Sequence, residues 1–308
     1  ILPDRALANR PSNRHIDQMS IARYYLGAPA WGMKVWQGTL YAQDARQADF
    51  LPQYARVFNA VEGNTTFYRV PSARTVATWV AATPPEFRFV CKMPRALSHE
   101  RGLADVADEI ARFGEVLAPL GPRLGPLFVQ LPPAFGPDRL DRLAAFLEVF
   151  RGPCAVEVRH PAFHRGDAVE RRLDDLLAAF GADRAVMDTR PLRAAPDPID
   201  EATRLARARK PDLPVRPIAL GRFPMVRYVA HPQVEANDRW LRPWAEVVAS
   251  WLAEGRTPFF FVHSPGDVEV PAVARRFHAL LSRLTPVGEM PAAPPEAAPP
   301  PDAQLALL

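Results

Sequence analysis

The chain is poor in cysteine, in lysine and in long apolar runs, and each shortage excludes something. Two cysteines, Cys91 and Cys154, form no CxxC or Cys/His spacing of a structural zinc site. They fall on non-adjacent strand candidates, so a disulfide between them is not expected, and buried free thiols fit a reducing cytoplasm. No apolar stretch approaches the roughly 20 residues that span a bilayer, and the first twenty residues are polar and Arg-rich, unlike a signal peptide. No GxGxxG or Walker loop is present. Of the 38 basic residues only Lys34, Lys92 and Lys210 are lysine. Arginine and lysine are interchangeable on a wet surface and differ where a titratable amine is needed, which makes Lys92 conspicuous.

What is present is a rhythm. Eight short apolar runs, Tyr24–Gly27, Val57–Glu62, Phe87–Lys92, Leu127–Gln130, Cys154–Arg159, Arg184–Asp188, Val226–His231 and Phe259–His263, alternate with stretches of helical periodicity. All but the first end in a polar or ionisable residue. Strands alternating with helices predict an α/β fold, a single (β/α)8 TIM barrel, in which the C-terminal strand ends surround the active site. The barrel is expected over residues 23–285, after a flexible extension at 1–22 in which Met19 is a candidate start. A basic, Pro-rich insertion follows strand six over about 190–225, and a Pro/Ala-rich disordered tail occupies 286–308. Helices are expected over Asp44–Tyr54, behind an N-cap at Ser72, and over Asp105–Leu117, Asp138–Phe150, Asp167–Phe180, Glu201–Lys210, Trp240–Ala253 and Val270–Leu284.

Side chains alternate faces along a strand, so parity assigns direction. It points Phe58, Ala60, Glu62 and Asn64 inward on strand two, Val90 and Lys92 on three, and Phe128 and Gln130 on four. On five it selects Ala155, Glu157 and Arg159, on six Val186 and Asp188, and on eight Phe259, Phe261 and His263. On strand seven Arg227, Val229 and His231 compete with Tyr228 and Ala230. Cys91 and Cys154 then face the helices.

A buried carboxylate is costly unless paired, and Glu157 has Lys92 and Arg159 as candidate partners. Glu157 is therefore read as a general acid/base tuned by those cations, the alternative being a structural ion-pair network. Lys92 and Arg159 would hold an anion or polarise a carbonyl, and a Schiff base at Lys92 is a further option. His99, His160 and Asp188 would shuttle protons or orient groups. Glu62, Asn64, Tyr68, Gln130, His231 and His263 are read as substrate-binding. Trp31, Trp36, Phe67, Tyr68 and Phe135 lie near the same face and either stack on ligand or cover the barrel end.

No cofactor is predicted. If a divalent metal were bound, Glu62, Glu157, Asp188, His231 and His263 would be its ligands, although Lys92 and Arg159 would repel it. The leading reading is a hydrolase or lyase acting on a small polar, anionic substrate. One alternative is a metal-dependent phosphoesterase acting on nucleic acid through the basic insertion. Another is a ligand-binding barrel without catalysis. No membrane partner is expected.

Four blocks together resemble a known family. Asn64-Thr65-Thr66-Phe67-Tyr68-Arg69 resembles the Asn-Ser/Thr-Thr-Phe-Tyr block of the YecE-like domain-of-unknown-function family. Lys92-Met93-Pro94-Arg95 with Ser98-His99, Gln130-Leu131-Pro132-Pro133-Ala134-Phe135 and Glu157-Val158-Arg159-His160-Pro161 are similar to its next three, in order. The resemblance implies a TIM barrel and supplies no activity. The chain departs from the family pattern at Gly27-Ala28-Pro29-Ala30-Trp31, at Ala230 before His231, and at His263-Ser264 in place of an Asn-Asn pair.

Overall fold

The computed structural model describes residues 23–291. Eight parallel strands alternate with helices. In chain order they are β1 (Tyr25–Ala28), α1 (Gln47–Val57), β2 (Ala60–Gly63), α2 (Ala73–Ala81), β3 (Arg88–Cys91), α3 (Ala107–Leu117), β4 (Leu127–Gln130), α4 (Leu140–Phe150), β5 (Cys154–Glu157), α5 (Ala168–Ala179), β6 (Asp183–Asp188), α6 (Glu201–Arg209), β7 (Met225–Val229), α7 (Asp238–Ala253), β8 (Phe259–His263) and α8 (Val270–Leu281). The hydrogen-bonded order runs β3-β2-β1-β8-β7-β6-β5-β4. The seam between β3 and β4 is bridged at Phe89–Leu124 and Lys92–Phe128, where the Met93 amide donates to the Phe128 carbonyl at 2.8 Å. The chain thus folds into the expected (β/α)8 barrel.

Two apolar layers hold it together. Inside the ring sit Tyr25, Ala60, Val90, Phe128, Ala155, Ala185, Met225, Phe259 and Phe261. Tyr25 stacks on Phe259 with centroids 4.6 Å apart. Gly27 is required by this crowding, since a Cβ there would lie 2.1 Å from the Ala60 carbonyl oxygen. Between ring and helices lies the larger layer, which includes Cys91 and Cys154; both thiols are free.

Two assignments of direction are corrected. Phe58 packs in the outer layer against Tyr54, with centroids 4.8 Å apart. Strand six is out of phase with its prediction: Ala185 faces in, while Val186 faces the helices. The parity argument assumed that the helix-facing side is apolar. Here that side carries Arg184, bonded to Glu170 at 2.8 Å and Asp174 at 3.0 Å on α5, and Asp188.

Local chemistry sets the helix starts. Ser72 accepts from the Thr75 amide and is the N-cap read from the sequence, and Asp167, expected as the first residue of its helix, is an N-cap that accepts from the Val169 and Glu170 amides. The sixth connection differs from the others. α6 stays at the C-terminal end of the barrel, and residues 211–223 return to the base without helix or strand. Pro211, Pro214 and Pro217 in this leg deny the backbone donors a helix needs. The leg is fastened by Arg216 to Glu170 at 3.0 Å and to Asp174. Below them the Asp183 carboxylate accepts from the amides of Leu220, Gly221 and Phe223 at 2.9, 2.7 and 2.8 Å.

At the C-terminal side, residues expected to begin the tail pack instead: Val287 and Met290 lie against the outer layer, and Arg275 donates to the Pro291 carbonyl at 2.8 Å. The extension at 1–22, with Met19, and the tail from 292 onward lie outside the described residues. No described helix is long and apolar enough to cross a membrane.

Candidate active site

The mouth at the C-terminal strand ends is a cavity of about 740 Å³, within the range of small-molecule sites. Its lining includes Asn64, Phe67, Tyr68, Lys92, His99, Gln130, Arg159 and His263. Arg227, Lys210 and Arg209 also line it, and sequence reasoning had named none of these three as a site residue.

Arg227 is the centre of the arrangement. It rises from β7 and is 3% exposed. Its Nε and Nη2 donate to the two Glu62 oxygens at 2.7 and 2.8 Å. Its Nη1 donates to Glu157 Oε2 at 2.6 Å. Glu157 Oε1 accepts from Arg159 Nε at 2.7 Å, and Glu62 Oε1 also accepts from Asn64 Nδ2 at 2.7 Å. Both oxygens of each carboxylate are therefore engaged. Burial alone would raise their protonation, but the guanidiniums outweigh it: Glu157 is held at about 2 and Glu62 well below the carboxylate range.

Above this floor the cations are less well matched. Lys92 Nζ donates to Gln130 Oε1 at 2.8 Å and lies 4.1 Å from the Phe67 ring centroid, but meets no carboxylate among the described residues. Burial, then Arg227, lowers its amine to about 8. Gln130 Oε1 also accepts from Arg159 Nη2 at 3.0 Å. His99 stands on the same wall, its Nδ1 2.9 Å from the Ser98 hydroxyl. Burial and the nearby Lys92 and Arg159 hold it neutral, at about 4. His263 Nε2 lies 3.5 Å from Glu62 Oε2, and burial lowers it despite that carboxylate. Tyr68 is 79% exposed and forms the rim.

Several predicted members are elsewhere. Asp188 is fully buried on the helix side of β6 and accepts from Trp244 Nε1 at 2.8 Å and Arg190 Nη2 at 2.7 Å. His160 caps a turn: its Nδ1 accepts from the Ala162 amide at 3.2 Å. His231 accepts at Nδ1 from the Gln233 amide at 3.0 Å and stacks on Trp240, beside a separate hollow with Thr203. Trp31 packs edge-on against Trp79 and Phe89, and Trp36 and Phe135 are buried. Of the aromatics, Phe67 and Tyr68 line the mouth. Glu157 pairs with Arg159 as expected and with Arg227 in place of Lys92.

The five-residue metal set is consequently dispersed, and an arginine occupies the space between its two glutamates. No cluster of three or more His, Cys, Asp or Glu that could hold a metal exists among the described residues. Several of the insertion's arginines are paired within the chain: Arg193 on the Lys210 carbonyl at 2.8 Å, Arg207 on the Leu192 carbonyl at 3.2 Å and, at the surface, Arg204 on Glu201.

Parity alone could not choose a face for Arg227, because both faces of β7 are largely apolar. A signal was nonetheless available, since two inward glutamates with a single inward lysine require a further cation. The scarcity that marked Lys92 marked Lys210 equally.

The chain as a whole is similar to known proteins. The profile of the family described as "Protein of unknown function DUF72" matches residues 25–298. The chain belongs to the DUF72 family. It is 34% identical over 273 residues to the UPF0759 protein YecE of Escherichia coli K12, covering 88% of this chain and 97% of that one. It is 26% identical over 165 residues to YunF of Bacillus subtilis, covering 50% and 57%. Its fold is similar to a DUF72 protein of Thermotoga maritima (TM1631), with a TM-score of 0.64 and 23% identity, over 84% of this chain and 99% of that one. A DUF72 protein of Enterococcus faecalis (EF0366) also gives a TM-score of 0.64, at 17% identity, over 90% and 100%.

Proposed function

We propose that the protein is an enzyme that binds a small anionic molecule at this mouth and transfers a proton there through Lys92, in hydrolase or lyase chemistry. The observation that carries this is the placement of charge. Lys92, Arg95, Arg159, Arg209, Lys210 and Arg227 line the cavity against a single lining carboxylate, Asp267. Glu62 and Glu157 lie beneath, consumed by guanidiniums. A general acid or base works best with a pKa near the operating pH. Lys92, at about 8, meets that condition; Glu157, at about 2, does not. The role expected of Glu157 therefore passes to Lys92, and Glu157 becomes a positioning residue that holds Arg159 and Arg227. Arg159 Nη1, which has no partner among the described residues, can donate to a carboxylate or phosphate oxygen, and neutral His99 can share a hydrogen bond with the ligand. Metal-assisted cleavage of nucleic acid has less support, because the metal set is dispersed and most of the insertion's arginines are paired within the chain. The two free buried thiols support a cytoplasmic setting.

The test is a thermal-shift and calorimetric screen of small carboxylates and phosphates, followed by turnover assays on each ligand found. Binding should be lost in Lys92→Met while the melting temperature holds or rises, because a buried amine without a carboxylate is removed. Turnover should inflect near pH 8, upward if Lys92 is the base and downward if it is the acid. Unchanged binding in Lys92→Met would reject the reading. Ligand binding without turnover of any ligand would favour a non-catalytic barrel.

A further inference from the structure

The cations of the mouth stand on two opposite walls. Lys92 and Arg159 follow the ends of β3 and β5, with Gln130 of β4 between them. Lys210 and Arg209 come from the end of α6, which packs on the turn Pro265–Asp267 after β8. In a ring of eight strands, β4 and β8 face each other across the mouth. Apolar groups, Phe67 and Leu205 among them, line the space between.

Lys210 and Arg209 differ from most of the insertion's cations; Arg222, also without a hydrogen bond or ion pair from its side chain among the described residues, lies at the base of the barrel, away from the mouth. Arg190, Arg193, Arg204, Arg207 and Arg216 are all taken by carboxylates or carbonyls. The side chains of Lys210 and Arg209 have no hydrogen bond or ion pair among the described residues, and these two line the cavity. The acid on their wall, Asp267, accepts from the Ser264 amide at 3.2 Å. Burial, then Arg227, lowers the Lys210 amine to about 8, so near pH 7 it remains mostly charged, with no carboxylate bonded to it among the described residues. A cation aimed into a cavity by a segment otherwise closed upon itself is placed for a ligand.

We propose that the ligand is a dianion with an anionic group at each end of a short hydrocarbon spacer, a dicarboxylate or a phosphorylated carboxylic acid, one end on Lys92 and Arg159 and the other on Lys210. This rests on the anion-binding reading above and deepens it. The insertion after β6 is then the element that sets ligand length.

Calorimetry on the full chain at low salt tests it with matched probes: butyrate against linear dicarboxylates from malonate to adipate, and methyl phosphate against phosphoglycolate. At least one dianion should bind about tenfold or more tightly than its single-ended counterpart. Lys210→Ala should erase most of that ratio, and Lys210→Arg should restore part of it. Arg204→Ala, on the same helix but paired with Glu201 outside the cavity, should keep the ratio. Equal binding of mono- and dianions, or a ratio that survives Lys210→Ala, would overturn the dianion inference and leave the anion site standing. Binding by none of the probes would overturn both.

Discussion

Removing the Arg227 guanidinium is the most informative perturbation of this barrel. Arg227→Met keeps much of the side chain's length and apolar stem, and deletes a charge shared by two carboxylates that are 0% and 2% exposed, Glu62 and Glu157. The two are not left equally bare. Glu157 retains Arg159 at 2.7 Å, whereas Glu62 retains Asn64 Nδ2 at 2.7 Å and His263 at 3.5 Å, and that histidine is neutral near pH 7. One stranded, fully buried carboxylate is the outcome, and breaking a buried pair in this way costs about 3–5 kcal/mol. Taking about 4 kcal/mol, and about 2–4 °C per kcal/mol for a domain approaching this size, the melting temperature should fall by about 8–16 °C. The pH dependence gives a second reading. In the wild type both carboxyls are depressed, so their stabilisation is present above the ordinary value of about 4.3. It is lost as the pH falls, for Glu157 through about 2. In the variant, burial without the cation raises Glu62. Its contribution is then intact below about 4.3 and lost as the pH rises through the raised value. The deficit against wild type should therefore shrink between pH 8 and pH 5, measured by urea unfolding followed by circular dichroism. A deficit under about 1 kcal/mol at pH 7, or one that widens on acidification, would refute the reasoning.

Asp183→Ala strands three backbone amides at the barrel base and should cost about 3 kcal/mol in urea unfolding; a loss under about 1 kcal/mol would show that the return leg of the insertion is held otherwise. Asp188→Asn turns one of two accepting oxygens into a donor facing Trp244 or Arg190. It should lower the melting temperature and leave ligand affinity at the mouth within about twofold, since Asp188 lies on the outer face; loss of binding would place it in the site after all. Burial pushes both thiols up to about 12, so Ellman's reagent should label neither Cys91 nor Cys154 in the native protein at pH 8 and both in denaturant. Rapid native labelling would contradict their packing.

Much of the architecture is written locally. Each strand is short and largely apolar, and some helix starts carry their own capping group, as at Ser72, Asp167 and Asp200. Inward residues on β3, β4, β5 and β8 were legible because their outward neighbours are uniformly apolar, as Cys154 and Val156 are beside Ala155 and Glu157. That local regularity, apolar runs of period two between helical stretches of period 3.6, determines the ring of eight strands and brings Glu62, Lys92, Gln130, Glu157 and Arg159 to one end of it. Which of those groups remain free for a ligand is a different matter. Asp188 looks like a mouth residue until Trp244, 56 residues away, claims it from the helix layer. Glu157 looks like a catalytic acid until Arg227, 70 residues on, pairs with the oxygen that Arg159 leaves open. Lys210, in a proline-rich insertion with no strand register, reaches the cavity because that insertion folds over the strand ends. Direction along a strand is a property of neighbours in sequence. Partnership between charges depends on distances that exist only once the ring has closed, and tertiary structure alone assigns it.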